Sequence, residues 1–292
     1  ALRSTTITFA PTQPPQSGTY SFDVANAAAN GSAGSVTLLL QALLLPLAFT
    51  AGVSTLTLKG GTHVRWSPSA HFLEHVYLPT LFDMGVRVSL ELQRYGFYPA
   101  GGGILQAQIA PARPPLTPMT LTERGALHRI HGEAVSCNLP AHIAKRMAQQ
   151  AETNLERMSA AASITPTVVD SDGPGAGLFL AAEYEHAHAG FMAMGEPGKP
   201  SEQVADESCN ALLKFHASGA SVDGHLADQL LLPMALADGR SVIRTSTITG
   251  HLRTNAQVIQ QLLPTHIEFA PNPDGLSYVE VEGIGWAGDA EA

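Results

Sequence analysis

The block LLLPLAFTAG at residues 43–52 recurs as LLLPMALADG at residues 230–239. Each copy runs through a glycine into an alternating segment, STLTLKGGTH after the first and RSVIRTSTITGH after the second. Such a repeat constrains architecture more than any single element does, because each copy is one supersecondary unit and the fold is the way the units join. Weaker echoes extend it. VYLPTLF at 76–82 returns as QLLPTHI at 261–267, and APTQPP at 10–15 returns as APARPP at 110–115. Aligned, the copies read strand, helix, strand, helix, strand, turn, strand, which is a βαβαββ unit. The first complete copy spans about 19–111.

The second copy is expected to open near Leu127, with the strand HRIHGEAV and the helix AHIAKRMAQQAE. It is interrupted over 154–220, resumes near Ser221 and closes with YVEVEG. Within the interruption, strand-like TPTVVD, GLFLAAEYEH and GFMAMGE precede the amphipathic helix SEQVADESCNALLKFHA. That pattern predicts an inserted small α/β domain. The expected division is a large domain at 1–153, the insert at 154–220 and the rest of the large domain at 221–292. The opening LRSTTITFAP reads as the closing strand of a further unit whose earlier part lies outside this sequence.

Hydrophobic residues make up 45% of the 292 and charged residues 14%, the balance of a globular chain. The longest apolar run, about 38–49, is short for a bilayer span and interrupted by proline. No secretory signal pattern opens the sequence. The net charge of −9 excludes a broad basic nucleic-acid footprint and still permits one local pocket for an RNA end. Cys137 and Cys209 lack metal-ligand spacing, so a reduced, cytoplasmic protein is expected.

The second copy delivers His251 onto GHLRTNAQ. Thr254 and Gln257 fit a capping box, which predicts a helix starting at Thr254 with His251 just before it. Free N–H groups and the positive end of the helix dipole would then favour an anion such as phosphate beside the imidazole. A neutral imidazole is a competent nucleophile toward phosphorus; the ordinary alternative is a strand-end histidine bonded to a turn. Asp228 and Gln229 open the apolar helix of GHLADQLLLP, where they could grip a ribose or a base, although capping alone would account for the aspartate. GSAGS at 31–35 suits an anion cradle or a helix cap. RYGFYPAGGG at 94–103 lies between alternating segments and predicts a hairpin turn; it is not a phosphate-binding Walker loop. HFLEH at 71–75 matches the inverted zinc-peptidase pattern, with His71 and His75 as ligands, Glu74 as base and Glu152 as a third ligand. Against zinc, a helix that buries Phe72, Leu73 and Val76 leaves His71, Glu74 and His75 on a solvated face. The stretch AQVIQQLLPT of the second copy also carries no ligand.

Taken together, RYGFYPAGGG, GSAGSVTLLLQ, GHLADQLLLPMAL and TGHLRTN resemble the RNA 3′-terminal phosphate cyclase family, in order and over nearly the whole chain. The resemblance implies an α/β (α+β) fold of three repeated βαβαββ units, similar to the enolpyruvyl transferase scaffold, with a small α/β domain inserted in the third. It implies an ATP-dependent reaction on RNA with a 3′-phosphate end, assisted by a divalent metal, Mg2+ or Mn2+, for which no protein ligand is assigned. His251 matches the family's nucleophile. Gln41, Pro99 and the run His225, Leu226, Ala227, Asp228 and Gln229 match its nucleotide-contacting positions. His225 stands where many members carry a tyrosine stacked on adenine. A non-catalytic relative serving ribosome assembly is the other expectation, and the presence of His251 with Asp228 and Gln229 argues against it.

Overall fold

The structure is a computed structural model that describes residues 6, 8–24, 33–156, 158 and 160–288. Most of LRSTTITF, and Gly31 and Ser32 of GSAGS, lie outside the described residues. Among those described, no helix is long and apolar enough to cross a membrane.

The first unit follows the expected order. It comprises β1 (Thr19–Asp23), α1 (Val36–Ala48), β2 (Ser54–Gly60), α2 (Ala70–Phe72) running through a π turn (Leu73–Tyr77) into α3 (Leu78–Asp83), then β3 (Val88–Arg94) and β4 (Gly103–Ile109). Its sheet has the order β1-β2-β4-β3, with β1 parallel to β2 and the other pairs antiparallel. The Ser35 side chain accepts from the Leu38 N–H and so caps α1. Leu40 and Leu44 of α1 are fully buried, as are Leu56 and Leu58 of β2 and Leu105 of β4. Each such leucine contributes about 1.5–3 kcal/mol of apolar burial.

The chain then enters β5 (Thr120–Leu121), β6 (Leu127–Cys137), α4 (His142–Leu155), β7 (Ala162–Val169), β8 (Gly175–Tyr184), β9 (His188–Met194) and α5 (Ser201–Ser218). It closes with α6 (Gly224–Leu236), β10 (Asp238–Thr245), α7 (Gly250–Leu262), β11 (His266–Pro271) and β12 (Ser277–Ile284). The last sheet has the order β11-β12-β10-β5, with β5 parallel to β10. Position by position this is the first unit again, with β5 in the place of β1 and β10 in the place of β2.

One expectation is corrected. HRIHGEAV and the helix after it do not open the second unit; they are β6 and α4, and β6 lies inside the sheet β7-β6-β8-β9. The opening strand of the second unit is β5. A two-residue strand has no periodicity to read, whereas β6 and α4 imitate a unit's own strand–helix start.

The insertion is spliced into one strand. Thr120 and Leu121 register with Val242 and Ile243 of β10, and Val222 then bridges Thr245 in parallel. The Ser221 N–H donates to the Arg244 carbonyl at 2.9 Å. The chain therefore leaves the sheet after Leu121 and rejoins it at the register it would have reached two residues later.

In the inserted unit α4 and α5 pack on the sheet. Strand alternation turns Ile130 and Ala134 one way and His131 and Glu133 the other. The second face meets the helical stretch Ala70–Tyr77 of the first unit: the Phe179 ring lies 5.4 Å from His71 and 5.9 Å from His75.

Candidate functional site: a histidine–aspartate pair at a helix start

Helix α7 begins earlier than its sequence predicts. Its N-cap is Thr249, whose side chain accepts from the Leu252 N–H at 3.0 Å. Thr254 is inside the helix, where its hydroxyl donates back to the Gly250 carbonyl at 3.0 Å. His251 is thus the second helical residue rather than a residue preceding the helix. It remains beside the free N–H groups of the first turn, and its side chain is 82% exposed.

Its ring is held from one side. His251 Nδ1 lies 2.8 Å from Asp228 Oδ2. Asp228 is held in turn by Asn255, whose amide donates to Asp228 Oδ1 and to the Asp228 carbonyl, both at 3.1 Å. An acceptor at Nδ1 places the neutral ring's proton there and leaves Nε2 with a free lone pair facing solvent. At the next position of α6, Gln229 Oε1 accepts from Gln41 Nε2 of α1 at 2.6 Å, which links the two repeated helices.

The other expected positions divide. His225 is exposed at the start of α6. Asp223 caps this helix, its Oδ1 accepting from the His225 and Leu226 N–H groups. Leu226 and Ala227 are fully buried, so they present no side chain to a ligand. Pro99 is exposed in the β3–β4 turn, and this turn faces the insert: Phe97 packs with Val135 and Cys137, and Ala100 abuts Gly173. The glycines of RYGFYPAGGG serve that turn. Gly101 and Gly102 have φ of 69° and 68°, and Gly96 sits where the end of β2 and the start of β4 converge.

The HFLEH segment is not a solvated metal face. His71 is buried, and both ring nitrogens are engaged, Nδ1 with His63 Nε2 at 3.0 Å and Nε2 with Glu133 Oε2 at 2.9 Å. His63 Nδ1 meets the Thr62 hydroxyl at 2.9 Å, and that hydroxyl accepts from the Gly96 N–H. One consistent set of tautomers satisfies the chain from Gly96 to the Glu133 carboxylate with both histidines neutral. Glu152 is exposed on α4. Among the described residues no group of three or more His, Cys, Asp or Glu could hold a metal ion. The repeat also equates His71 with His251. Ser69 caps α2 as Thr249 caps α7, and each histidine is the second residue after its cap. The two copies therefore differ here in environment: His71 is buried against Glu133, while His251 is open.

Burial holds the pKa of His63 well below the usual histidine range and lowers that of His75 to about 4; His131 and His188 are lowered as well. Groups whose folded pKa is depressed below about 6.5 bind protons more readily when unfolded. Their contribution is fully present above pH 6.5 and declines as pH falls toward 4. Glu133, lowered to about 2 chiefly by its bond to His71 against the effect of burial, extends the loss below pH 4.5. In thermal melts from pH 7.5 to 4 these histidines are expected to pull the midpoint down, against the Asp223 and Glu74 carboxyls, which burial raises and which act in the opposite direction. His75→Phe should flatten that slope, and an unchanged slope would remove His75 from the effect.

Repeated βαβαββ units, with an insert docked against the first of them and a carboxylate-oriented imidazole at a helix start, define an α/β protein that presents an exposed histidine ring at an anion-favouring helix end. Residues 1–269 match the family described as RNA 3′-terminal phosphate cyclase. A protein of Gloeothece citriformis (strain PCC 7424) carrying that name is 48% identical over 260 residues, 89% of this chain and 74% of its own length. One of Methylococcus capsulatus is 44% identical over 282 residues, covering 97% and 78%. One of Pyrobaculum neutrophilum is 37% identical over 272 residues, covering 92% and 76%. The chain belongs to the RNA 3′-terminal phosphate cyclase family.

Proposed function

We propose that this protein converts an RNA 3′-terminal phosphate to a 2′,3′-cyclic phosphate at the expense of ATP, with His251 as the nucleophile. The observation that carries this reading is the His251–Asp228 contact, which leaves Nε2 of an exposed ring free at a helix N-terminus. Nε2 attacks the α-phosphorus, a P–N bond forms, the P–O bond to pyrophosphate breaks, and pyrophosphate leaves. A 3′-phosphate oxygen of the RNA then takes the AMP from the histidine. Attack by the neighbouring 2′-hydroxyl on the activated phosphate closes the ring and expels AMP, the hydroxyl proton passing to solvent or a base.

In this reading Gln41, His225, Asp228 and Gln229 line the nucleotide side, with Leu226 and Ala227 contributing backbone. Pro99 belongs there only by the family match, since the contacts of its turn run to the insert. A divalent cation would arrive with the triphosphate to neutralise its charge. Among the described residues there is no ligand cluster for one. Sheet membership supports an inserted domain of about 122–220 rather than 154–220, and the free, buried thiols of Cys137 and Cys209 suit a cytoplasmic location.

The test uses a short RNA ending in a 3′-phosphate. With ATP it should become resistant to phosphatase, and without ATP it should not. Phosphatase sensitivity unchanged by ATP would sink the reading. Asn255 offers a finer test, because it touches the aspartate and acts on the histidine only through it. Asn255→Ala should slow adenylation about 10-fold or more and shift its pH profile, with a change in melting temperature of only a few degrees. An unshifted profile would reduce Asn255 to a purely structural role.

A further inference from the structure

Trp66 serves neither the fold nor the site described above. Its side chain is 96% exposed. Its φ is 64°, in the left-handed region where glycine or asparagine is the ordinary occupant. It lies in a turn closed by Ser67 Oγ, which donates to the Val64 carbonyl at 3.1 Å. A bulky residue held out in water on an unfavourable backbone gains nothing from the folded chain around it. An outlier of this kind points to a ligand. The turn joins β2 to α2, and its counterpart in the second unit is the connection that leads to His251.

Trp66 forms one wall of a groove of about 500 Å3 between this turn and the insert. Arg65 and Ser67 line the same side, and Met192, Met194 and Lys199 line the other. The charges are paired, Arg65 with Glu196 and Lys199 with Glu207. Lys199 also donates to the Met194 carbonyl at 3.0 Å. A groove whose cations are already matched by carboxylates does not select a phosphate. A groove lined by an indole and two thioethers selects a flat, neutral, polarisable ring.

We propose that this groove holds an unpaired base of the RNA, stacked on Trp66. The proposal rests on the cyclase reading for the class of ligand. Within that class it assigns the base, not the backbone, to this surface. Base stacking on an exposed aromatic tolerates any sequence and contributes little to salt dependence.

The experiment measures binding of single-stranded RNA with a 3′-phosphate to the intact protein in the absence of ATP. Trp66→Ala should weaken binding about 5- to 100-fold, with the slope of log K against log salt unchanged, and Trp66→Phe should retain most of the affinity. Trp66→Gly should lose the same affinity yet melt no lower than the wild type, because glycine suits this backbone. A merely structural residue would not separate stability from binding in that way. The chain has two tryptophans, and Trp286 is packed against Phe49 with ring centroids 4.3 Å apart. RNA should therefore quench fluorescence from the exposed indole, and that quenching should vanish in Trp66→Phe. Wild-type RNA affinity in both Trp66→Ala and Trp66→Gly overturns the proposal, as does quenching by ATP but not by RNA. A protein that binds RNA through Trp66 but never labels at His251 would instead sink the cyclase reading and leave this groove standing.

Discussion

His251→Ala is expected to abolish covalent labelling of the protein by α-labelled ATP, a loss of at least about 10³-fold. In the wild type the label should be acid-labile and alkali-stable, as a phosphoramidate is, which separates it from an ester on serine or a carboxylate. The ring is 82% exposed and anchored at Nδ1 alone, so its removal should disturb the fold little. The melting temperature should stay within a few degrees of the wild type. Asp228→Ala removes the anchor and keeps the nucleophile, so labelling should slow by about 10- to 100-fold without vanishing. Full labelling of His251→Ala would take this residue out of the mechanism. Equal loss in both variants, with intact melts, would mean that the pair acts as one unit.

The second large effect is on stability. A Cβ at Gly96 would lie 2.3 Å from the Gly60 carbonyl oxygen and 2.5 Å from the Gly103 amide nitrogen. Both are backbone atoms at the meeting of β2 and β4, and neither can swing aside as a side chain can. The Gly96 N–H is also committed to Thr62 Oγ1 at 2.9 Å, so displacing it unsettles the buried chain that ends at Glu133. Gly96→Ala is expected to cost at least about 3 kcal/mol, seen as a lowered denaturation midpoint at constant slope. At Gly250 a Cβ would meet no atom within 4 Å, and alanine there should not lower the midpoint. Equal effects at the two positions would refute the steric argument.

The repeated unit was legible because its signals are strong and local. An apolar LLLP helix followed by an alternating strand admits few arrangements, and the βαβαββ order follows in both copies. The insert boundary was not legible, because β5 is two residues long and its pairing with β10 is a long-range fact. The start of α7 was misplaced because Thr249 and Thr254 can both cap. The choice depends on Thr249 having extended backbone while Thr254 turns back to Gly250. The equivalence of His71 and His251 was hidden by unequal connections, residues 61–68 against 246–248, which shift any gapless alignment. Of the candidate residues, His251 pairs with Asp228 and Gln41 with Gln229, whereas Pro99 lies on the turn that meets the insert. Asn255 carried no signal, since an asparagine within a helix looks like any exposed polar residue until its partner is known.

The splice within the strand formed by β5 and Val222 has a consequence for how such a chain acquires and sheds parts. The points of departure and return lie at neighbouring registers of β10, so about a hundred residues hang from what the sheet treats as a gap of one step. A chain joining Leu121 to Val222 through a single residue would complete the same four-stranded ladder, with no strand reordered and no connection rethreaded. The insert is a graft on an otherwise continuous stem. What excision would expose is the graft bed on the first unit, where His71 and Val76 now lie against Glu133, Phe179 and Gly190. Removal would therefore leave the sheet's wiring intact and test whether that bed tolerates water.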